Sequence, residues 1–224
     1  MSKLYLVPTP IGNLGDITQR AIDILKNVNL ILAEDTRKTS ILLKKYGIEN
    51  QLLSHHQFNE HKAVGKIIER LEAGDKIALV SDAGTPAISD PGFLLVRDCI
   101  AHGFEIECLP GPTAFVPALV VSGIPNDRFL FEGFLPHKKG RRTKLEWLSK
   151  QPYTIVFYES PHRLVKSIDQ FIEYFGPNRQ ASVSKELSKV HERTIRGPLA
   201  DIRTMLDKET IKGEYVIVVA GSKI

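Results

Sequence analysis

The segment 79–92 combines groups that can do chemistry with backbone shapes that few residues allow. It begins as an apolar strand and continues into a turn that holds several hydroxyl groups and two carboxylates, Asp82 and Asp90. Gly84 and Gly92 permit positive φ and close approach of the backbone to a ligand, while the prolines fix φ. Because open α/β sheets bind ligands at the carboxyl ends of their strands, this turn is interpreted as a binding loop. A capped strand-to-helix connection without a ligand is the alternative.

The same kind of turn follows two other apolar runs. Residues 4–7 lead into a segment rich in proline, glycine and threonine at 8–13, and residues 106–109 lead into a similar one at 110–114. Each of the three turns is followed by a helical pattern. This repetition favours the functional interpretation over simple capping.

Three motifs, at 7–13, 33–37 and 81–92, make the chain resemble the tetrapyrrole (corrin/porphyrin) methylase superfamily. Within it, the motifs are similar to the branch that methylates the 2′-hydroxyl of a cytidine ribose in 16S ribosomal RNA of the small subunit. The resemblance extends from residue 4 to about residue 221. It implies two α/β domains with S-adenosylmethionine folded into the cleft between them, and a homodimer.

Composition is that of an ordinary globular protein, with a net charge of +4 that does not by itself indicate nucleic acid. The two cysteines are too few for a disulfide framework and lack the spacing of metal ligands. The sequence predicts neither a signal peptide nor a membrane span, so we expect a cytoplasmic protein. Neither a dinucleotide-binding glycine motif nor a phosphate-binding Walker motif is present in the sequence.

The first half of the sequence alternates apolar runs with amphipathic segments, which predicts a mainly parallel sheet covered by helices. Strands are expected at 4–7, 30–33, 51–53, 76–80 and 105–109, and helices at 16–26, 38–46, 60–73 and 93–101. A short helix at 113–122 connects an N-terminal α/β domain, 1–115, to a C-terminal one, 116–224.

The second half predicts a mixed sheet. Strands are expected at 129–134, 153–158, 180–187, 190–196 and 214–220, and helices at 141–150, 160–175 and 198–206. Little helix separates residues 180 and 196, so the strands there are expected to form an antiparallel hairpin.

The resemblance also implies which residues border the cofactor. In the first domain these are Pro10, Ile11, Gly12, Asp82, Ala83, Gly84, Thr85, Pro112, Thr113 and Ala114; in the second they are Tyr158, Leu187, Gly213 and Glu214. For Tyr158 and Leu187, packing in the core remains the alternative.

A ribose hydroxyl needs a base that removes its proton during attack. Charged residues at the ends of apolar runs supply the candidates Lys185, Glu159 and Glu186, with Asp82 and His162 also considered. An ordinary surface pair is the alternative for Lys185 and Glu186. The histidines at 55, 56 and 61 lack the ligands that would complete a metal site, and we expect no metal.

Five cations lie between residues 137 and 144, namely Lys138, Lys139, Arg141, Arg142 and Lys144. They are expected to contact RNA, and a solvated helix start is the alternative. This run favours an RNA methyltransferase over a small-molecule tetrapyrrole methylase. A noncatalytic ribosome-binding protein is the third hypothesis.

Overall fold

The computed structural model describes residues 2–222, except for the side chain of Lys62. Their contacts divide the chain into two compact units, the first ending at Thr113 and the second beginning at Ala114. The sequence placed this boundary after residue 115, two positions later.

The first unit alternates strands and helices. Its elements are β1 (Lys3–Leu6), a 3₁₀ turn (Leu14–Asp16), α1 (Gln19–Asn27), β2 (Leu30–Ala33), α2 (Thr36–Lys45), β3 (Leu52–Ser54), α3 (Glu60–Glu72), β4 (Lys76–Val80), α4 (Phe93–Ala101) and β5 (Glu105–Cys108). The strand order is β3-β2-β4-β1-β5, and every pairing is parallel, as predicted.

Helices cover both faces of this sheet, so all four residues of β2 are buried. Leu30 and Leu32 pack on the side of α3 and α4, whereas Ile31 and Ala33 pack on the side of α1 and α2. Successive side chains of a strand point to opposite faces, so a strand between two helical layers must be apolar throughout.

Two helix starts differ from the sequence prediction because polar side chains cap them. The Thr18 hydroxyl accepts a hydrogen bond from the Ala21 amide at 3.1 Å, so α1 begins at Gln19 rather than at residue 16. The Asp35 carboxylate accepts one from the Arg37 amide at 2.9 Å, so α2 begins two residues before residue 38. Such caps satisfy amides that the first turn leaves free.

The second unit consists of α5 (Phe115–Ser122), β6 (Phe129–Phe134), α6 (Arg141–Leu148), β7 (Thr154–Glu159), α7 (Leu164–Phe175), β8 (Gln180–Lys185), β9 (Arg193–Pro198), α8 (Leu199–Leu206) and β10 (Tyr215–Val219). Its strand order is β6-β7-β10-β8-β9. Only the β6–β7 pair is parallel, so the predicted mixed sheet and its β8–β9 hairpin are confirmed. The prediction that β9 starts at 190 was wrong, because Val190 is exposed in the turn.

Helices α6, α7 and α8 bury one face of the second sheet, and α5 packs against β7, β8 and β10. Phe157 and Phe171 are fully buried, and their rings meet at a tilt with centroids 4.7 Å apart. Among residues 2–222, no helix has the length and apolar character needed to cross a membrane.

Candidate functional site

Three loops of the first unit meet at one edge of its sheet. They follow β1, β4 and β5, which are neighbouring strands, and we call them the strand-end loops, residues 8–12, 81–85 and 110–113. The backbone amides and carbonyls of Thr9 and Gly84 exchange two hydrogen bonds of 2.9 Å. The Thr85 hydroxyl donates to the Pro112 carbonyl at 3.1 Å. Backbone pairing therefore fixes these loops against one another.

Glycine is required where the strand-end loops touch. Gly84 has a φ of +84° and faces Ile11 and the Pro112 carbonyl. A Cβ on Gly111 would lie 2.6 Å from the Cβ of Pro8, closer than real atoms approach. The loops thus pack at backbone distance, an arrangement that leaves little side-chain bulk above them.

The chain beyond residue 85 is held in unusual conformations. Ala87 and Ser89 both have left-handed φ angles, of 67° and 64°. Residues other than glycine seldom adopt such angles. The segment ends where Glu60 accepts hydrogen bonds from the amides of Gly92 at 3.0 Å and Leu94 at 3.1 Å. Glu60 thereby caps α4, and its carboxylate suits the positive end of that helix. Strain of this kind persists only where the surroundings impose it, and it is common at binding loops.

Asp82 is engaged by α2. Its Oδ2 atom lies 2.6 Å from the Lys38 Nζ atom, and its Oδ1 atom accepts from the Asp35 amide at 3.0 Å. The Asp82 amide in turn donates to Glu34 at 3.4 Å. This carboxylate therefore orients α2 toward the strand-end loops and is neutralised by a lysine.

Asp90 is a candidate that the sequence analysis quoted but did not single out. Burial raises the pKa of its carboxyl group to about 7, helped by the nearby charges of Glu34 and Asp82 and opposed by a hydrogen bond with Ser81. A carboxylate that titrates near neutral pH can accept a proton under working conditions. The sequence did offer one indication, because Asp90 lies in the turn between an apolar strand and a helix, and the same turn holds a second aspartate.

In the second unit, Glu159 is buried and surrounded by donors. Its oxygens accept from the Ser160 amide at 2.9 Å and the Ser167 hydroxyl at 2.6 Å, and lie 3.0 Å from an Arg163 nitrogen. Arg141 approaches to 3.9 Å. These donors occupy the carboxylate, so the geometry favours a structural ion network over a free base.

Glu186 and Glu214 belong to a second network, at the turn after β8. The Glu186 Oε1 atom accepts from the Lys189 ammonium at 2.8 Å and from the Glu214 amide at 2.9 Å. Burial works against ionisation, but these hydrogen bonds prevail and lower the pKa of Glu186. A Cβ on Gly213 would overlap the Glu186 carboxyl group, so the glycine allows this close approach.

Lys185 lies beside β10, where Tyr215 aligns with both Lys185 and Glu159 across the sheet. The Lys185 Nζ atom donates to the Thr210 carbonyl at 3.1 Å. This contact ties the Lys185 side chain to the segment before β10.

Tyr158 and Leu187 lie in apolar surroundings. The Tyr158 ring meets Phe131 and Phe134 edge-on, with centroids 5.1 Å and 5.6 Å away. Leu187 is buried. Ala114 is the residue that precedes the first turn of α5.

The basic run before and within α6 divides into two kinds of side chain. Lys138 and Lys139 are exposed. Arg142 pairs with Glu146 at 2.7 Å, and Lys144 pairs with Glu132 at 3.1 Å.

Arg141 requires a correction. Its guanidinium is buried and donates to the Gln170 side chain at 2.8 Å, the Pro136 carbonyl at 3.1 Å and the Ser167 hydroxyl at 2.8 Å. A side chain that holds α6 to α7 from the inside is not available to an RNA phosphate, so Arg141 leaves the predicted RNA-contacting set. Amphipathic spacing within α6 was the signal that could have revealed it, since Arg141 stands one turn before the buried Leu145.

Metal ligands are not clustered within the part of the chain that the structure describes. No three histidine, cysteine, aspartate or glutamate residues there are grouped so that they could hold an ion.

Comparison with known proteins adds family information to this geometry. The sequence profile of the family described as Tetrapyrrole (Corrin/Porphyrin) Methylases matches residues 3–203. The chain is 49% identical over 222 residues to the protein named Ribosomal RNA small subunit methyltransferase I of Xylella fastidiosa, covering 98% of this chain and 81% of that one. It is 45% identical over 223 residues to the protein of the same name from Thermotoga maritima, covering 100% of both.

A solved structure shares the fold. Uroporphyrin-III C-methyltransferase from Thermus thermophilus, complexed with S-adenosyl homocysteine, aligns over 98% of this chain and 97% of its own with a TM-score of 0.66. Sequence identity is 18%, so the likeness concerns the fold alone.

Proposed function

Because the chain belongs to the family of tetrapyrrole (corrin/porphyrin) methylases, we propose that it is an S-adenosylmethionine-dependent methyltransferase of small-subunit ribosomal RNA. The observation that carries the proposal is the near full-length identity to proteins named for that activity. The finer assignment, to the 2′-hydroxyl of a cytidine in 16S rRNA, follows the motifs at 7–13, 33–37 and 81–92. Assembly as a homodimer is the remaining part and rests on the resemblance alone, while the cytoplasmic location stays a prediction from the sequence.

The strand-end loops fit the chemistry of S-adenosylmethionine. Ala83 and Gly84 place little side-chain bulk at the loops, and the acidic groups of Glu34, Asp82 and Asp90 lie close together at this edge, with Asp82 paired to Lys38. When bound, the cofactor supplies a methyl group on a positively charged sulfur, which such an environment suits. The same loops contain six more of the predicted cofactor contacts, Pro10, Ile11, Gly12, Thr85, Pro112 and Thr113. Five further residues stay predicted contacts, namely Ala114, Tyr158, Leu187, Gly213 and Glu214.

The second requirement is a base for the ribose hydroxyl. We infer that Asp90 is this base. With a pKa of about 7, a useful fraction of its carboxyl group is ionised at neutral pH, and the carboxylate is more basic than that of an ordinary aspartate. Lys185 is the second candidate. Glu186, whose pKa is lowered, and Glu159, which four donors surround, are weaker bases in their present contacts.

The test begins with cofactor binding. Gly84→Val should reduce S-adenosylmethionine affinity at least tenfold in calorimetry, because the side chain fills the space between the loops. Gly103→Val is the matched control, since Gly103 has a similar φ of +75° but open space around it. Equal affinities for the two variants would place the cofactor elsewhere.

Transfer of labelled methyl then separates the remaining hypotheses. An RNA methyltransferase labels small-subunit rRNA. A tetrapyrrole methylase binds the cofactor without labelling RNA, and a noncatalytic ribosome-binding protein binds RNA without any transfer.

A further inference from the structure

A pocket of about 280 Å³ lies beside the strand-end loops, on the side of α2. Its wall on one side is the loop from Thr9 to Leu14, and on the other side it is the outer face of α2. The Tyr46 hydroxyl donates to the carbonyl of Leu14, a lining residue, at 2.5 Å and so ties this loop to the end of α2. The ion pair of Asp82 and Lys38 also lines the pocket.

The face of α2 that lines this pocket has a composition that helix packing does not explain. Lys38, Ile41, Leu42 and Lys45 follow the i, i+3, i+4, i+7 spacing of a single helix face. Of the two buried residues of α2, Thr39 also lines the pocket, whereas Leu43 does not and packs in the core of the first unit. Ile41 is 73% exposed, so an isoleucine faces the pocket with most of its surface in water.

Charged side chains lie next to the apolar residues that line this pocket. Lys38 is held in place by Asp82, while Lys45 has no ion-pair partner among residues 2–222. An occupant should therefore present an anionic group toward the lysines and a flat apolar face toward Leu14, Ile41 and Leu42.

Resting on the proposed function, we propose that this pocket receives one unstacked nucleotide of the substrate RNA, with its phosphate at Lys45 and its base against Ile41 and Leu42. Proteins bind single-stranded RNA by cations on phosphates and by aromatic or arginine side chains stacked on splayed bases. Here the aliphatic side chains of Ile41 and Leu42 would take the place of the stacking residues. The volume lies at the lower end of ligand pockets and suits one nucleotide better than a longer stretch. Because Thr9, Pro10 and Gly12 line both this pocket and the strand-end loops, the nucleotide would be held next to the cofactor site.

The experiment compares two double variants. Ile41→Ser/Lys45→Ser removes the apolar face and the unpaired cation from the pocket. The matched control, Ile100→Ser/Lys44→Ser, removes an isoleucine that is 65% exposed and a neighbouring lysine outside the pocket. All four side chains are exposed, so both variants should fold.

Affinity for a small-subunit rRNA transcript is measured by filter binding over a range of salt, and S-adenosylmethionine affinity by calorimetry. We expect the pocket variant to bind RNA roughly ten- to a hundredfold more weakly, with the slope of log affinity against log salt reduced by about 0.7 relative to the control. Cofactor affinity should be unchanged.

Equal RNA affinity for the two variants would overturn the proposal, and so would a pocket variant that loses cofactor affinity instead. Failure of methyl transfer in the natural protein would count against the proposed function only, because the binding comparison does not depend on turnover.

Discussion

Backbone hydrogen bonds join the strand-end loops of the first unit, whereas ion pairs join the polar residues at the strand ends of the second. Thr9 and Gly84 pair through their main chains, and the side chains there are small. At the corresponding edge of the second sheet, Glu159 and Glu186 are surrounded by arginine, lysine and hydroxyl donors. The first arrangement leaves little side-chain bulk at the loops, and the second uses its charged groups internally.

The comparison predicts that charge removal in the second unit acts mainly on stability. Arg141→Met leaves the buried Glu159 carboxylate with one donor fewer and removes three hydrogen bonds, so the free energy of unfolding should fall by about 3–5 kcal/mol. Urea denaturation measures the change. Arg142→Met, one residue along and exposed, is the control and should change stability little. A loss of under about 1 kcal/mol for Arg141→Met would show that the network is not structural.

The second prediction concerns whether the base that accepts the ribose proton lies in the first or the second unit. Asp90→Asn should lower the rate of methyl transfer about 100-fold, equivalent to about 2.7 kcal/mol, because an amide cannot accept the proton. In the natural protein the rate should fall as pH drops below about 7, where Asp90 is protonated, and this limb should vanish in the variant. A hundredfold loss in Lys185→Ala, with Asp90→Asn near the natural rate, would move the base to the second unit.

Stability provides the control for Asp90→Asn. The folded pKa of this carboxyl is raised above its unfolded value, so the natural protein loses stability as pH rises from about 4 through about 7. The asparagine variant should lack this loss and be the more stable protein at pH 8, by about 1 kcal/mol once partial exposure is allowed for. Equal stability at pH 5 and pH 8 in both proteins would contradict the raised pKa.

The smallest effect is expected in the basic run. Lys138→Ser/Lys139→Ser should flatten the salt dependence of rRNA binding by about 1–2 units, because both lysines are exposed and free to meet phosphates. Arg142→Ser/Lys144→Ser should do less, since Glu146 and Glu132 already pair with these cations. The reverse order of effects would mean that the ion pairs open on binding.

The sequence predicted the first unit well because its signals are local. A strand buried on both faces must be apolar, and the turns after it need glycine and proline at particular φ angles, so Gly84 could be identified from its neighbours. The second unit was harder to predict at its polar positions. Whether Arg141 meets solvent or Glu159 depends on α7, more than 20 residues away, and charge density along the chain carries no information about that contact. Asp90 was missed for the same reason, because its pKa is raised chiefly by burial in the folded chain and further by Glu34, which is distant in sequence.

The strand order of the first unit has a consequence for synthesis. Lys3 of β1 aligns with Lys76 of β4 and with Glu105 of β5, so the first strand made occupies a place between two strands made much later. Pairings of such long sequence separation form slowly, and a growing chain cannot complete them before its fifth strand has left the ribosome. The edges of β1 therefore stay unpaired through most of the unit's translation, and the three loops can meet only after residue 113 has emerged.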